Sequence, residues 1–340
     1  MAYTKKDQSK SKMTELKNQL SDNKLMPLYL FYGEEEFLIN LNIDKIKKLV
    51  PHNDFEDFNR IILNGADCSL AQVADALDTF PMMADRKLVI IKDSGAFGAK
   101  AAAEVREFYT EKIENLQEDT VLIFKETSVD KRSAVYKAAM KKGWVGEFTR
   151  LDDMDLVTWL IREARARKRK LDRDNAAYMV QMTDRSLQTL KNELEKVCAY
   201  TEEEITKPAI DKLVSRSLEA RVFDLCDAMM NKDADKSLIM LSDLKTNKES
   251  PYGILYILYT TFSKMLMARM LMERNEPEEA FAEALSVPKF SVRKYVSGAR
   301  KFTKQELSQK LMLITETDLA IKRGETEQWQ GVERFIRSVF

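Results

Sequence analysis

The stretch Leu28-Tyr29-Leu30-Phe31-Tyr32-Gly33, followed at once by Glu34-Glu35-Glu36-Phe37-Leu38-Ile39, constrains this chain most. An apolar run ends at a glycine and a helical pattern begins, with Leu38, Leu41, Ile46 and Leu49 recurring among Asn40, Asn42, Lys45, Lys47 and Lys48. That order reads as the first strand, turn and helix of an α/β sheet domain. In nucleotide-binding sheets such a turn cradles phosphate, with glycines exposing backbone N–H groups and a Lys with Ser/Thr completing the site. Here the turn holds one glycine, no Lys-Ser/Thr pair and three consecutive carboxylates. The carboxylates suit the positive end of a helix, but they repel a triphosphate. The expected domain keeps a nucleotide-binding architecture and holds no nucleotide cofactor.

Further strands are expected at Phe58–Leu63, Lys87–Lys92, Val121–Phe124 and Trp144–Phe148, with helices at Met13–Asn23, Ser69–Thr79, Ala99–Glu114 and Ser133–Lys142. Ser69 reads as an N-cap, with Leu70, Val73, Ala74 and Leu77 on the buried face. Near-continuous apolar strands alternating with helices imply a parallel sheet covered on both faces. After Thr149 the strand signals stop. Asp152 and Asp153 cap a helix, two more run over Asp174–Thr183 and Ser186–Ala199, and Pro208 opens a fourth near its first turn. From Ala220 onward long helices follow, two with clean starts at Ser250-Pro251 and Glu276-Pro277, as in a bundle. The expected domains are 1–149, 150–218 and 219–340.

At 340 residues the chain is long for one core. Lys+Arg and Asp+Glu both number 55, so any nucleic-acid footprint must be local. Three scattered cysteines, Cys68, Cys198 and Cys226, form neither a disulfide framework nor a zinc spacing, which fits a reducing cytoplasm. No apolar run is long enough to span a membrane, and Met1–Lys12 reads as a polar, frayed tail without a signal-peptide core. The single histidine, His52, sits in a polar Pro51-His52-Asn53-Asp54 turn and reads as a solvated loop residue. Ser–His and Cys–His catalysis are therefore not expected, nor is any metal site or catalytic residue.

An ATPase of this architecture also needs an acidic pair after a later buried strand to hold Mg²⁺. The chain reads Lys125-Glu126 there, and Lys125 repels a metal. The basic cluster of Arg162, Arg165, Arg167, Lys168, Arg169, Lys170 and Arg173 reads either as a stripe for DNA phosphates or as a solvated helix end. It lacks interleaved aromatics for base stacking. Phe80-Pro81-Met82-Met83 is apolar where a turn should be polar, and Pro81 stiffens it. It reads either as an exposed apolar wedge for a partner or as side chains folded back over the core, and on residue type alone the second reading wins. Met265, Met267, Met270 and Met272 stripe a long helix and read as core.

These residues together resemble the delta subunit of the bacterial DNA polymerase III clamp loader. The resemblance runs from Leu28 over nearly the whole chain. It rests on Leu28–Glu35 with Phe37-Leu38, on Phe80–Val89, on Leu190-Lys191-Asn192-Glu193-Leu194-Glu195-Lys196 and on Asp318-Leu319-Ala320-Ile321-Lys322-Arg323-Gly324. It implies an AAA+ module: a RecA-like α/β domain, a small helical lid domain and an all-α collar domain for assembly with other clamp-loader subunits. It implies a subunit of a DNA-directed DNA polymerase holoenzyme without a nucleotide site of its own, at work in the replisome. The expected partners are the sliding clamp (beta subunit), the gamma/tau ATPases, delta prime and primed DNA, with no membrane. The clamp-binding wedge would be Met82 and Met83, flanked by Phe80 and Pro81, where the family often has Leu-Phe. Arg165, Arg167, Lys168, Arg169 and Lys170 are the candidate DNA-contacting residues. The alternatives are an active AAA+ ATPase or helicase loader with a divergent site, and a DNA-binding adaptor using Ser291–Arg300 with Arg293, Lys294 and Arg300 as a recognition helix.

Overall fold

A computed structural model describes residues 5–50, 56–287 and 289–340. The chain forms two compact units, residues 1–151 and 152–340. His52 and Met1–Thr4 lie outside the described residues.

The first unit runs α1 (Lys5–Ser21), β1 (Leu28–Tyr32), α2 (Glu36–Leu49), α3 (Glu56–Asn59), β2 (Arg60–Asn64), α4 (Leu70–Asp78), β3 (Lys87–Lys92), α5 (Ala103–Glu114), β4 (Thr120–Glu126), α6 (Ala134–Lys142) and β5 (Trp144–Glu147). The five strands make one parallel sheet in the order β2-β3-β4-β1-β5, the RecA-like arrangement expected. Successive strand residues point to opposite faces, and both faces are covered. Leu28, Leu30, Tyr32, Leu122 and Phe124 share a core with Val73 and Leu77 of α4, Tyr109 and Ile113 of α5, and Val135 of α6. Tyr29, Phe31, Val121, Ile123, Leu88 and Ile90 share another with Leu16 of α1 and Ile39, Ile43 and Ile46 of α2. Double-sided burial is why β1 reads as an unbroken apolar run.

Three local readings are corrected. Phe58 and Asn59 belong to the short helix α3 rather than to β2. Helix α1 begins at Lys5, well before Met13. On α4, Ala76 joins Val73 and Leu77 on the buried face, Leu70 packs half-buried against the same core and Ala74 is only half-buried, while Ser69 caps as expected in a reciprocal capping box with Gln72.

The second unit is all helical: α7 (Asp153–Ala166), α8 (Arg173–Met182), α9 (Leu187–Tyr200), α10 (Lys207–Leu213), α11 (Leu218–Met230), α12 (Ala234–Thr246), α13 (Pro251–Glu273), α14 (Glu278–Ala284), α15 (Lys289–Ala299), α16 (Lys304–Lys322) and α17 (Gln328–Arg337). Its largest core gathers around α13, where Ile254, Leu255, Leu258, Phe262, Met265 and Ala268 are buried. Of the methionine stripe Met265 is buried in the core and Met272, two turns on along the same face, is half-buried against it. Met267 is exposed and Met270 half-buried, because an i,i+2 step turns a helical side chain away from its neighbour's face. Asp152 caps α7 through the Asp155 N–H at 2.8 Å. Asp153 does not cap: it is buried and paired with Arg185 at 3.2 Å. Among the described residues no helix is long and apolar enough to cross a membrane, and no group of His, Cys, Asp or Glu is placed to hold a metal.

Candidate functional site

Ligands of open α/β sheets sit beyond the C-terminal ends of the strands, which here means the turn after β1. Gly33 has φ +123, a conformation open to glycine, and a Cβ there would lie 2.3 Å from the Phe148 carbonyl oxygen. The chain leaving β5 therefore fills the space against the turn. The Phe148 N–H donates to the Tyr32 carbonyl at 2.7 Å, and the Phe148 carbonyl accepts the Glu35 N–H at 3.0 Å. The Gly33 N–H donates to the Glu126 carbonyl and the Glu36 N–H to the Glu34 carbonyl, both at 3.1 Å. Three N–H groups of the turn, those of Gly33, Glu35 and Glu36, are thus engaged by the chain itself.

The charges are also reversed from a nucleotide site. Lys125, near the end of β4, binds Glu36 at 3.0 Å and Asn40 at 3.3 Å, so a carboxylate stands in the first turn of α2 and an ammonium stands where metal-binding acid is needed. Glu34 pairs with Arg150 at 3.5 Å. Glu126 is buried and faces away toward Ser94, accepting its N–H at 2.9 Å and its hydroxyl at 2.6 Å. Burial pushes its carboxyl up to about 7 against the lowering effect of those two hydrogen bonds.

The loop between α4 and β3 lies on the opposite rim of the sheet, because it precedes a strand where the Gly33 turn follows one. Phe80 is 77 % exposed, Met82 45 % and Met83 83 %, while Pro81 is half-buried. The side chains of Met82 and Met83 are not folded back over the core.

The backbone beneath them is braced at both ends. Lys87, the first residue of β3, is fully buried. Its ammonium donates to the Ala76 carbonyl at 2.8 Å, the Leu77 carbonyl at 3.0 Å and the Thr79 carbonyl. These are orphan carbonyls at the C-terminus of α4, where a cation also meets the negative end of the helix dipole. Burial holds the Lys87 ammonium below the usual lysine range, opposed by the Asp119 and Asp78 carboxylates. At the other end Asn59 of α3 pairs with both backbone polar groups of Met82, at 2.6 and 2.7 Å. Sequence reasoning missed Asn59 and Lys87. Asn59 falls within the expected strand pattern Phe58–Leu63, and Lys87 carries no signal beyond being the first residue of an expected strand.

The basic cluster is divided. Arg167 pairs with Glu163 at 2.9 Å and Glu195 at 3.0 Å, and Lys170 with Glu204 at 3.1 Å. Arg169 donates to the Thr201 carbonyl at 2.6 Å and the Cys198 carbonyl at 3.2 Å. Arg165 and Lys168 are exposed. On α15 the Lys294 ammonium lies 3.2 Å from the centre of the Phe223 ring, so that helix presents fewer outward charges than its sequence suggests.

The family model for DNA polymerase III, delta subunit, matches residues 29–149, and the model for the C-terminal domain of that subunit matches residues 219–339. A DNA polymerase III subunit delta from Bacillus subtilis (strain 168) is 25% identical over 325 residues, spanning 93% of this chain and 94% of its own length. A probable DNA polymerase III subunit delta from Aquifex aeolicus (strain VF5) is 22% identical over 322 residues, 92% of this chain and 90% of its own. Among solved structures, the Bacillus subtilis DNA clamp loader delta protein YqeN superposes with a TM-score of 0.65 at 24% identity, covering 96% of this chain and 98% of that one. With matched segments spanning most of its length, this chain belongs to the family of the delta subunit of DNA polymerase III.

Proposed function

We propose that this chain binds the sliding clamp and opens it for loading onto primed DNA. The observation that carries the reading is the apolar tip: Phe80, Met82 and Met83 stand exposed on a loop whose backbone is held by Lys87 and Asn59. Met82 and Met83 insert into an apolar pocket on the ring, where unbranched thioether side chains adapt to an irregular surface. Helix α4 ends at the tip and acts as the lever beside the ring interface. Binding opens the ring only as far as the tip prefers the opened state over the closed one.

Control comes from elsewhere in the assembly. The Gly33, Glu35 and Glu36 N–H groups are engaged within the chain and carboxylates flank them, so ATP held by gamma/tau sibling subunits regulates access to the tip. Residues 1–149 form the clamp-binding AAA+-like domain, 150–218 a lid domain, and 219–340 a collar that packs against the sibling ATPases and delta prime. The spans of the two family matches support the first and third boundaries. Arg165 and Lys168, with Lys170 and the partly engaged Arg167 and Arg169, meet the primer–template backbone. The chain works in the cytoplasmic replisome as a non-catalytic subunit of the polymerase holoenzyme.

The test is the Met82→Ala/Met83→Ala double variant, measured for affinity to the purified ring and for ring opening. Loss of two buried apolar anchors is expected to weaken binding by about 2–4 kcal/mol, with thermal stability unchanged. A folded variant that binds the ring as well as the parent removes the reading.

A further inference from the structure

Asn59 is 4 % exposed, and its amide reaches across 23 residues of sequence to a single peptide position. Its Oδ1 accepts the Met82 N–H at 2.6 Å and its Nδ2 donates to the Met82 carbonyl at 2.7 Å. This reciprocal pair is the pattern that one strand residue makes with its hydrogen-bonded neighbour, here made by a side chain. The next residue, Met83, sits at φ +49, a left-handed conformation disfavoured for a side chain with a Cβ. A loop with this bend and three exposed apolar side chains would sample many shapes if its backbone were not held. Lys87 secures the exit from α4, but nothing in that contact orients Met82.

We infer that Asn59 is a positioning residue of the apolar tip: it fixes the Met82 peptide so that the two methionines are presented before a partner arrives. The inference rests on the reading of the tip as the ring-binding element. Its physical content is preorganisation: a loop already in its binding shape loses less freedom on association, so affinity rises without any new contact. Asn59 itself need not touch the ring.

The experiment uses the full chain and the purified ring. Asn59→Ala is compared with Val145→Ala, a buried β5 position remote from the tip chosen to lower stability by a similar amount. Two quantities are read: ring affinity by surface plasmon resonance, and hydrogen exchange at the Met82 amide. Asn59→Ala is expected to weaken binding about tenfold and to speed Met82 exchange by at least about tenfold, whereas Val145→Ala leaves both near the parent values. Asn59→Asp keeps an acceptor for the Met82 N–H and loses the donor to its carbonyl, so it falls between. Should the alanine variant not fold, Asn59→Ser, which keeps one hydrogen-bonding group, carries the same test. If Met82→Ala/Met83→Ala abolishes binding while Asn59→Ala binds as tightly as the parent, the positioning role is overturned and the tip reading stands. If the double methionine variant still binds, the tip reading falls and the role of Asn59 falls with it.

Discussion

Two loops on opposite rims of one parallel sheet differ in what they leave unsatisfied. At the turn after β1 the polar groups pair within the chain. The Gly33, Glu35 and Glu36 N–H groups bond to the chain's own carbonyls, and Glu34 and Glu36 are paired with Arg150 and Lys125. At the loop before β3 the backbone is equally well held, by Asn59 and Lys87, but the side chains are left out. A rigid backbone is common to both. What separates a silent loop from a presenting one is whether its chemistry is completed internally or reserved for a partner. Exposed apolar groups held on a fixed backbone are a source of binding energy, whereas satisfied N–H groups are not.

The comparison is broken most forcefully at Gly33. Gly33→Ala places a Cβ against the Phe148 carbonyl at a positive φ, combining overpacking with backbone strain. It is expected to lower unfolding free energy by about 3–4 kcal/mol, read by urea denaturation, while any remaining folded protein keeps its ring affinity. A stable Gly33→Ala chain would show that the turn is open rather than closed by the β5 exit.

Glu126 gives the next effect. Its folded carboxyl titrates near 7 against an ordinary value of 4.5. Between those values the folded state binds more protons than the unfolded one, so stability falls as pH rises through the window and levels off above it. The full span is at most about 3 kcal/mol. Glu126→Gln keeps an oxygen to accept from Ser94 and removes the titration. It is expected to be the more stable form at pH 8 and to show a flat profile from pH 5 to 8 in denaturant melts, so parallel profiles for the two chains would contradict the burial argument.

The smallest effect concerns DNA. Replacing both Arg165 and Lys168 by Ala should leave stability within about 0.5 kcal/mol and reduce the salt slope of DNA binding by the loaded complex by about one per lost phosphate contact. An unchanged slope removes these two residues from the DNA-contacting set.

Much of the fold was legible because burial on both sheet faces leaves a plain mark. β1 coincides with its apolar run and β3 extends it by a lysine at each end, whereas β4 runs past the expected Val121–Phe124 because Thr120, Lys125 and Glu126 are polar residues inside the strand. Phe58 and Asn59 fit a strand pattern because an aromatic two residues before Arg60-Ile61-Ile62-Leu63 continues a β-like run, and only the fold turns them into a helical corner. The start of α1 was missed because Lys5–Lys12 is polar throughout and carries no apolar period. The candidate tip was named from the sequence, but its exposure was not decided there: Met is as ready to fill a core as to leave one.

The amino-acid order alone determined the alternation of apolar strands and helices, the missing Lys-Ser/Thr at the first turn and the pair of methionines before β3, because each is a local pattern of side-chain chemistry. Tertiary structure alone decided that Phe148 closes the turn, that Lys125 meets Glu36, that Asn59 bonds the Met82 peptide and that Lys87 binds the last carbonyls of α4. Those contacts join residues from 8 positions apart, Lys87 with Thr79, to 116 apart, Phe148 with Tyr32. Hydrogen bonds between groups so separated depend on where the sheet places its strand ends, and no local spacing rule carries that placement.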